Sequence, residues 1–231
     1  MPQEAGRSRI IFRRFTIILL WSSIAMFHKE ILSDRQTELL PLIGEFKREY
    51  YLVGGTAIAL YLGHRRSIDF DLFKYTPLNR KKNLDRVQSS GFPTLVTWNV
   101  IDQMNLVVND VKVTFFQYPF QIIAKRVFEN VVRLPELLDL AAMKAYALGR
   151  RSKWKDYVDL YFLLKEKFTI GEISHRAVEI YGDLFSDKLF RSQLSYFEDV
   201  DYMEEVDFLI ALPPTDEEIK RYLIEVSTAI G

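Results

Sequence analysis

The spacing of hydrophobic positions changes period several times along the chain. From Ser33, SDRQTELLPLIGEFKREY puts Leu39, Leu42, Ile43 and Phe46 at helical intervals behind a capping serine. YYLVGG is then a short apolar strand stopped by glycines, TAIALYLGH makes about two helical turns up to Gly63, and SIDFDLF alternates with a period of two. TPLNRKKNLDRVQSSGF predicts a helix between Pro77 and Gly91. TLVTWNV, MNLVVND and VKVTFFQYPF predict an antiparallel meander whose last turn is Asn109-Asp110. After Phe120 the pattern turns helical in LPELLDLAAMKAYALGRR, in KWKDYVDLYFLLKEKF and in most of the remaining chain. An acidic-capped amphipathic helix from Asp216 to Ile230 closes the chain. The order α, mixed β with short helices, then helix is an α+β pattern. It divides the chain into a core at 26–125 and a helical region at 126–231.

Composition narrows the class. Of 231 residues, 48% are hydrophobic and 27% charged, which is a globular balance and not a disordered one. Thirty-one basic and thirty-one acidic residues cancel, so bulk charge does not announce a nucleic-acid binder. The charges are unevenly placed. Lys144, Arg150, Arg151, Lys153 and Lys155 lie in one acid-free run, whereas residues 198–218 hold nine acids and no base. With no cysteine there are neither disulfides nor thiolate metal sites, and His28, His64 and His175 lack zinc-ligand spacing. At the N-terminus a basic start precedes a 13-residue apolar run from Phe15 to Phe27, which is short for a bilayer span and has no small-residue cleavage site after it. Met26 opens a stretch that already reads as the start of a domain, so residues 1–25 are read as an upstream extension, with a membrane-directed segment as the alternative.

Two aspartates carry the candidate chemistry. Alternation puts Asp69 and Asp71 on one strand face, opposite Ile68, Phe70 and Leu72. Two like charges so close repel, and a hard divalent cation between them would relieve the repulsion; an edge strand with one solvated face is the other reading. Gly54-Gly55-Thr56 lies one short helix upstream. Its glycines permit close approach to a ligand, and the free N–H groups of the following helix would face a phosphate. The strands flanking that helix should be neighbours, so that both features open on one cleft.

The segment VGGTAIALYLGHRRSIDFDLF resembles the first motif of the DNA polymerase β-like nucleotidyltransferase superfamily. Together with LAAMKAYALGRRSKWKDYVDLYFLL it resembles the AbiEii-type nucleotidyltransferase toxins of type IV toxin–antitoxin and abortive-infection systems. The resemblance covers residues 26–170; nothing is recognised beyond. It implies a polymerase β-like core with a mixed sheet, and an enzyme that moves an NMP unit from an NTP to an acceptor hydroxyl. Mg²⁺ (or Mn²⁺) would be held by Asp69 and Asp71, with Gly54, Gly55 and Thr56 on the phosphates. It further implies a toxin role with a cognate antitoxin, and an RNA acceptor such as the tRNA 3′ end that some relatives use; transfer of AMP to a partner protein's hydroxyl is a second enzymatic reading, and a cytoplasmic location without membrane contact is expected. A catalytically silent nucleotide-binding or interaction module is the remaining alternative.

The second block has its own logic. On a helical wheel of about 100° per residue, Leu137, Leu140, Ala141, Lys144, Leu148 and Arg151 share an arc. Lys144 in the middle of an apolar arc needs an anion: a bound phosphate, which is the preferred reading, or a carboxylate. Asp156 and Asp159 share a face of the next helix and are the protein candidates; either would orient Lys144 or act as base. Arg151 would support Lys144 on the phosphates. The superfamily's third metal-binding carboxylate belongs on VKVTFFQY, where Thr114 or Lys112 stands instead. The basic run with Trp154 suits a stacked RNA base.

Overall fold

The computed structural model describes residues 27–148 and 150–229. The apolar run and the expected extension before Phe27 therefore lie almost wholly outside the described residues.

Helix α1 (Asp34–Glu45) starts as the sequence predicts: the Ser33 side chain accepts from the Gln36 N–H, and Gln36 reaches back to Ser33. Its apolar face is buried, and Phe46 beyond it packs with Tyr50 and Phe115. Strand β1 (Tyr51–Val53) leads directly into α2 (Gly54–Leu62), and β2 (Asp69–Lys74) returns antiparallel beside β1. After α3 (Arg80–Ser89) come β3 (Thr94–Asn99), β4 (Gln103–Val108) and β5 (Val111–Gln117), paired as the expected meander. Asn109 and Asp110 both have positive φ (49° and 62°), the left-handed pair that a two-residue hairpin turn requires.

One boundary moves. Residues 126–134, expected to belong to the helical region, form the hairpin β6 (Arg126–Phe128) and β7 (Val132–Leu134), and β7 pairs parallel with β1. The seven-stranded sheet runs β3-β4-β5-β2-β1-β7-β6. Helices begin again at α4 (Leu137–Leu148), followed by α5 (Trp154–Glu166), α6 (Ile170–Tyr181), α7 (Asp187–Leu194) and α8 (Asp216–Thr228). The α+β expectation stands, with the sheet longer in sequence than the pattern suggested. Strands of three residues are too short to show a period, which is why β6 and β7 left no signal.

Register gives the two faces of the central sheet different chemistry. Phe70, Val113 and Leu106 form one cross-strand row, and Leu72, Phe115 and Met104 the next; all six are buried. The opposite face has three other rows: Asp69, Lys112 and Val107; Asp71, Thr114 and Asn105; Phe73, Phe116 and Gln103. Helix α2 packs against α4 and α5, which places the helical half beside this second face. Ile68 departs from its expected place, since it precedes the strand and is exposed.

Candidate active site

A cleft of about 450 Å³ opens between that sheet face and the α4–α5 connection. Val53, Gly54, Gly55, Asp69, Asp71, Thr114, Lys144, Arg151 and Asp156 are among the residues that line it. The phosphate-type turn and the carboxylate pair thus meet in one place, as the order strand–glycines–helix–strand requires. Gly54 sits at φ +72°, and a Cβ there would come within 2.2 Å of Asp71 Oδ2. The residue must be glycine both for its backbone and to let the carboxylate lie against the helix start. A Cβ on Gly55 would meet the Arg65 guanidinium at 2.6 Å. Thr56 is placed differently from the expectation. Its side chain is buried away from the cleft, its hydroxyl bonding the Asp69 carbonyl and lying 2.9 Å from Ser67 Oγ. It braces the turn, and only its backbone N–H, at the helix start, is available to a phosphate.

Lys144 is buried, as the wheel demanded, and its anions are inside the protein. Nζ donates to Asp156 Oδ1 at 2.6 Å and lies 3.0 Å from Asp159 Oδ2. Arg151 donates to Asp156 Oδ2 at 3.0 Å from beyond the end of α4, where it is half exposed, so the helical arc did not extend to it. Asp159 is fully buried and off the cleft wall; besides Lys144 it receives two bonds from Arg65 (2.8 and 2.9 Å) and one from His64 Nε2 (2.8 Å). Burial opposes ionisation of Asp159, but Arg65, Lys144 and His64 outweigh it and hold its carboxyl well below the ordinary range. Burial pushes the His64 pKa down, against the pull of its bond to Asp159. A carboxylate so fully bonded is a poor proton acceptor. The preference for phosphate as the main partner of Lys144 is thereby corrected, because two carboxylates already satisfy it.

Asp69 and Asp71 stand in the opposite condition. No basic group among the described residues reaches ion-pair distance of either, and burial raises both pKa values, with the Asp69 charge raising that of Asp71 further. Two facing carboxylates without a cation fit a divalent ion, whose remaining ligands would be phosphate and water oxygens. No group of three metal-ligating side chains occurs among the described residues. Thr114 pairs in register with Asp71, so a hydroxyl stands on the strand where the third carboxylate was expected.

Two site features gave no clear signal in the sequence. His64 and Arg65, in HRRSIDFD, look like a basic turn but are turned inward onto Asp159, and the clue was only their closeness to the D-x-D. Glu204 reaches the cleft from the acidic stretch near the C-terminus, which no local pattern signals. The expectation for Trp154 is corrected: it is 5% exposed and packed by Tyr157, Tyr202 and Lys220, so it offers no face to a base.

The fold is that of the polymerase β-like nucleotidyltransferases. A family model described as "Nucleotidyl transferase AbiEii toxin, Type IV TA system" matches residues 100–227, and the chain belongs to this family of nucleotidyltransferases. The match extends well past residue 170, where the resemblance stopped. An uncharacterized protein of Aquifex aeolicus (strain VF5), aq_aa25, is 28% identical over 166 residues, 65% of this chain and 75% of that protein. Among solved structures, the nucleotidyltransferase toxin MenT4 of Mycobacterium tuberculosis H37Rv superposes with a TM-score of 0.58 at 16% identity, over 84% of this chain and 80% of its own. A putative nucleotidyltransferase from H. pylori gives 0.49 at 15%, over 84% and 91%. No helix among the described residues is long and apolar enough to cross a membrane.

Proposed function

We propose that the chain transfers an NMP unit from an NTP to an acceptor hydroxyl. A bond forms between the acceptor oxygen and the α-phosphorus, the Pα–O bond to the β-phosphate breaks, pyrophosphate leaves, and the hydroxyl proton passes to solvent or base. Asp69 and Asp71 would hold Mg²⁺, which when bound neutralises triphosphate charge and acidifies the attacking hydroxyl. The backbone N–H groups of Gly54, Gly55 and Thr56 bind the terminal phosphates. Lys144 presents its charge to the cleft from a position that Asp156 and Asp159 fix, and Arg151 adds a second cation at the rim. Asp156, wedged between two cations, orients Lys144 in preference to serving as base.

The observation that carries this reading is the uncompensated Asp69–Asp71 pair lying against Gly54 in the same cleft as Lys144. Incubation with each labelled NTP, total RNA and Mg²⁺ tests it. Label in RNA supports the tRNA-type acceptor and the toxin role, and label in protein supports AMP transfer to a partner. Absence of label under all conditions overturns the enzymatic reading and leaves a nucleotide-binding module, for which Thr114 in place of the third carboxylate would be the cause. A cognate antitoxin and a cytoplasmic site of action follow from the family reading.

A further inference from the structure

The segment between α7 and α8 forms a strap beside the cleft, and its Glu204 is part of the lining. One end is pinned where Asp201 N–H donates to Ser152 O (2.7 Å) and Trp154 N–H donates to Asp201 O (3.0 Å). The other is pinned where Arg66 N–H donates to Asp207 O (2.8 Å) and Leu209 N–H to His64 O (3.0 Å). Between the pins, Glu204 drops its carboxylate onto two cleft lysines, Lys153 Nζ at 2.6 Å and Lys155 Nζ at 3.4 Å. These two lysines lie at the start of α5 and pair with Glu204, whereas Lys144 and Arg151 pair with Asp156, so the cleft has two separate groups of cations. Arg65, Lys144 and Arg151 are already paired with Asp156 and Asp159, whereas Lys112 and Arg150 line the cleft without an ion-pair partner among the described residues, so cationic surface remains for a polyanion beside the nucleotide.

We propose that Lys153 and Lys155 form a phosphate subsite for the strand of a nucleic-acid acceptor, and that Glu204 fills this subsite as a built-in anion which the acceptor's phosphate displaces. The inference rests on the nucleotidyltransferase reading and extends it to acceptor recognition. Glu204, Lys153 and Lys155 all retain contact with water, with side-chain exposures of 50%, 39% and 21%. An ion pair so solvated is weak and exchanges readily, while a phosphodiester in its place brings further contacts along the strand. The backbone pins do not involve the Glu204 side chain, so the strap keeps its course when that carboxylate is neutralised.

The test measures binding apart from catalysis. A fluorescent single-stranded RNA oligonucleotide ending in a 3′-deoxy nucleotide is titrated into the full-length protein and into Glu204→Gln and Lys153→Ala/Lys155→Ala. NTP binding is followed by calorimetry in parallel, and wild-type transfer to an extendable RNA is assayed beside them. The expected result is roughly tenfold tighter RNA binding for Glu204→Gln, with NTP affinity unchanged. The double lysine variant should bind RNA more weakly, with the slope of log K against log salt reduced by about 0.7, as for one phosphate contact on a single strand. Tighter NTP binding in place of RNA binding would assign the subsite to the nucleotide and overturn the proposal. Loss of transfer in Glu204→Gln without a change in RNA affinity would make Glu204 a catalytic carboxylate and equally overturn it. Unchanged RNA affinity in both variants, the outcome expected for a protein acceptor, refutes it as well. Failure of wild-type transfer alone strikes the nucleotidyltransferase reading, and leaves the binding result legible.

Discussion

At the scale of single residues, Asp71 in the cleft and Asp159 buried behind it titrate in opposite directions. Asp71 has a folded pKa raised by burial and by Asp69, so the folded state binds its proton more tightly than the unfolded chain. Its ionisation therefore costs stability as pH rises from the ordinary aspartate range through the folded pKa, and the cost persists above. Asp159 has a folded pKa held well below the ordinary value, so its contribution is present above the unfolded pKa and is lost as pH falls through the folded one. Asp71→Asn is accordingly expected to melt at or above the wild-type temperature near neutral pH without metal, and the difference should vanish on acidification. The same variant should lose both Mg²⁺-dependent transfer, by about a hundredfold or more, and the Mg²⁺-induced shift in Tm. A destabilised Asp71→Asn at neutral pH would contradict the uncompensated charge. Gly54 offers a second check against Gly91, which has a similar φ of +78° but open space around it. Gly91→Ala should cost about 1 kcal/mol, the left-handed backbone penalty alone. Gly54→Ala adds the collision with Asp71 and should cost clearly more while removing activity; equal melting shifts in the two variants would refute the close approach.

Elements explain which parts of the molecule were legible in the sequence. Helix α1 announced itself through Ser33, and β2 through strict alternation of Asp69, Phe70, Asp71 and Leu72, because one face of each is buried and period follows burial. The hairpin β4–β5 was legible from Asn109-Asp110. The hairpin β6–β7 was not, since its turn (φ 43° and 58°) opens on Glu129, which has none of the left-handed tolerance of Asn and Asp, and its strands are too short for a pattern. For the site, the two aspartates, both glycines, Lys144 and Asp156 were readable because each breaks a local pattern. Arg65 and Glu204 were not, since each meets its partner across a long stretch of chain: 94 residues separate Arg65 from Asp159, and 51 separate Lys153 from Glu204. The turn chemistry gives a prediction at this scale. Asp110 holds φ +62°, where glycine is preferred, and its pairing with Arg35 is an exposed ion pair of little worth. Asp110→Gly should stabilise the protein by about 0.5 kcal/mol, seen as a higher denaturant midpoint at unchanged slope. A lower midpoint would mean that Arg35–Asp110 contributes more to α1 docking than its exposure implies.

Across the whole molecule, Asp159 ties the sheet half to the helical half. It projects from α5, takes three bonds from His64 and Arg65 in the loop between α2 and β2, and meets Lys144 of α4. The same loop is bridged by the strap, through Arg66 to Asp207 and His64 to Leu209, so sequence-distant segments converge on one buried charge. Removing Lys144 leaves Asp156 with Arg151, and Asp159 with Arg65 and His64. Removing the Asp159 charge leaves the buried Arg65 with no carboxylate at ion-pair distance among the described residues. The second loss should be larger: about 2 kcal/mol for Lys144→Ala against about 3 kcal/mol or more for Asp159→Asn, the usual cost of an uncompensated buried charge. At this chain length the latter corresponds to a fall in Tm of roughly 6–12 °C. Because the hub joins both halves, the residue 126 boundary between core and helical region is not expected to be a thermodynamic one. Asp159→Asn should shift near-ultraviolet signals and helical far-ultraviolet signals together, in a single transition. Two separated transitions, with only the helical one moved, would show that the halves fold independently and that Asp159 stabilises just one of them.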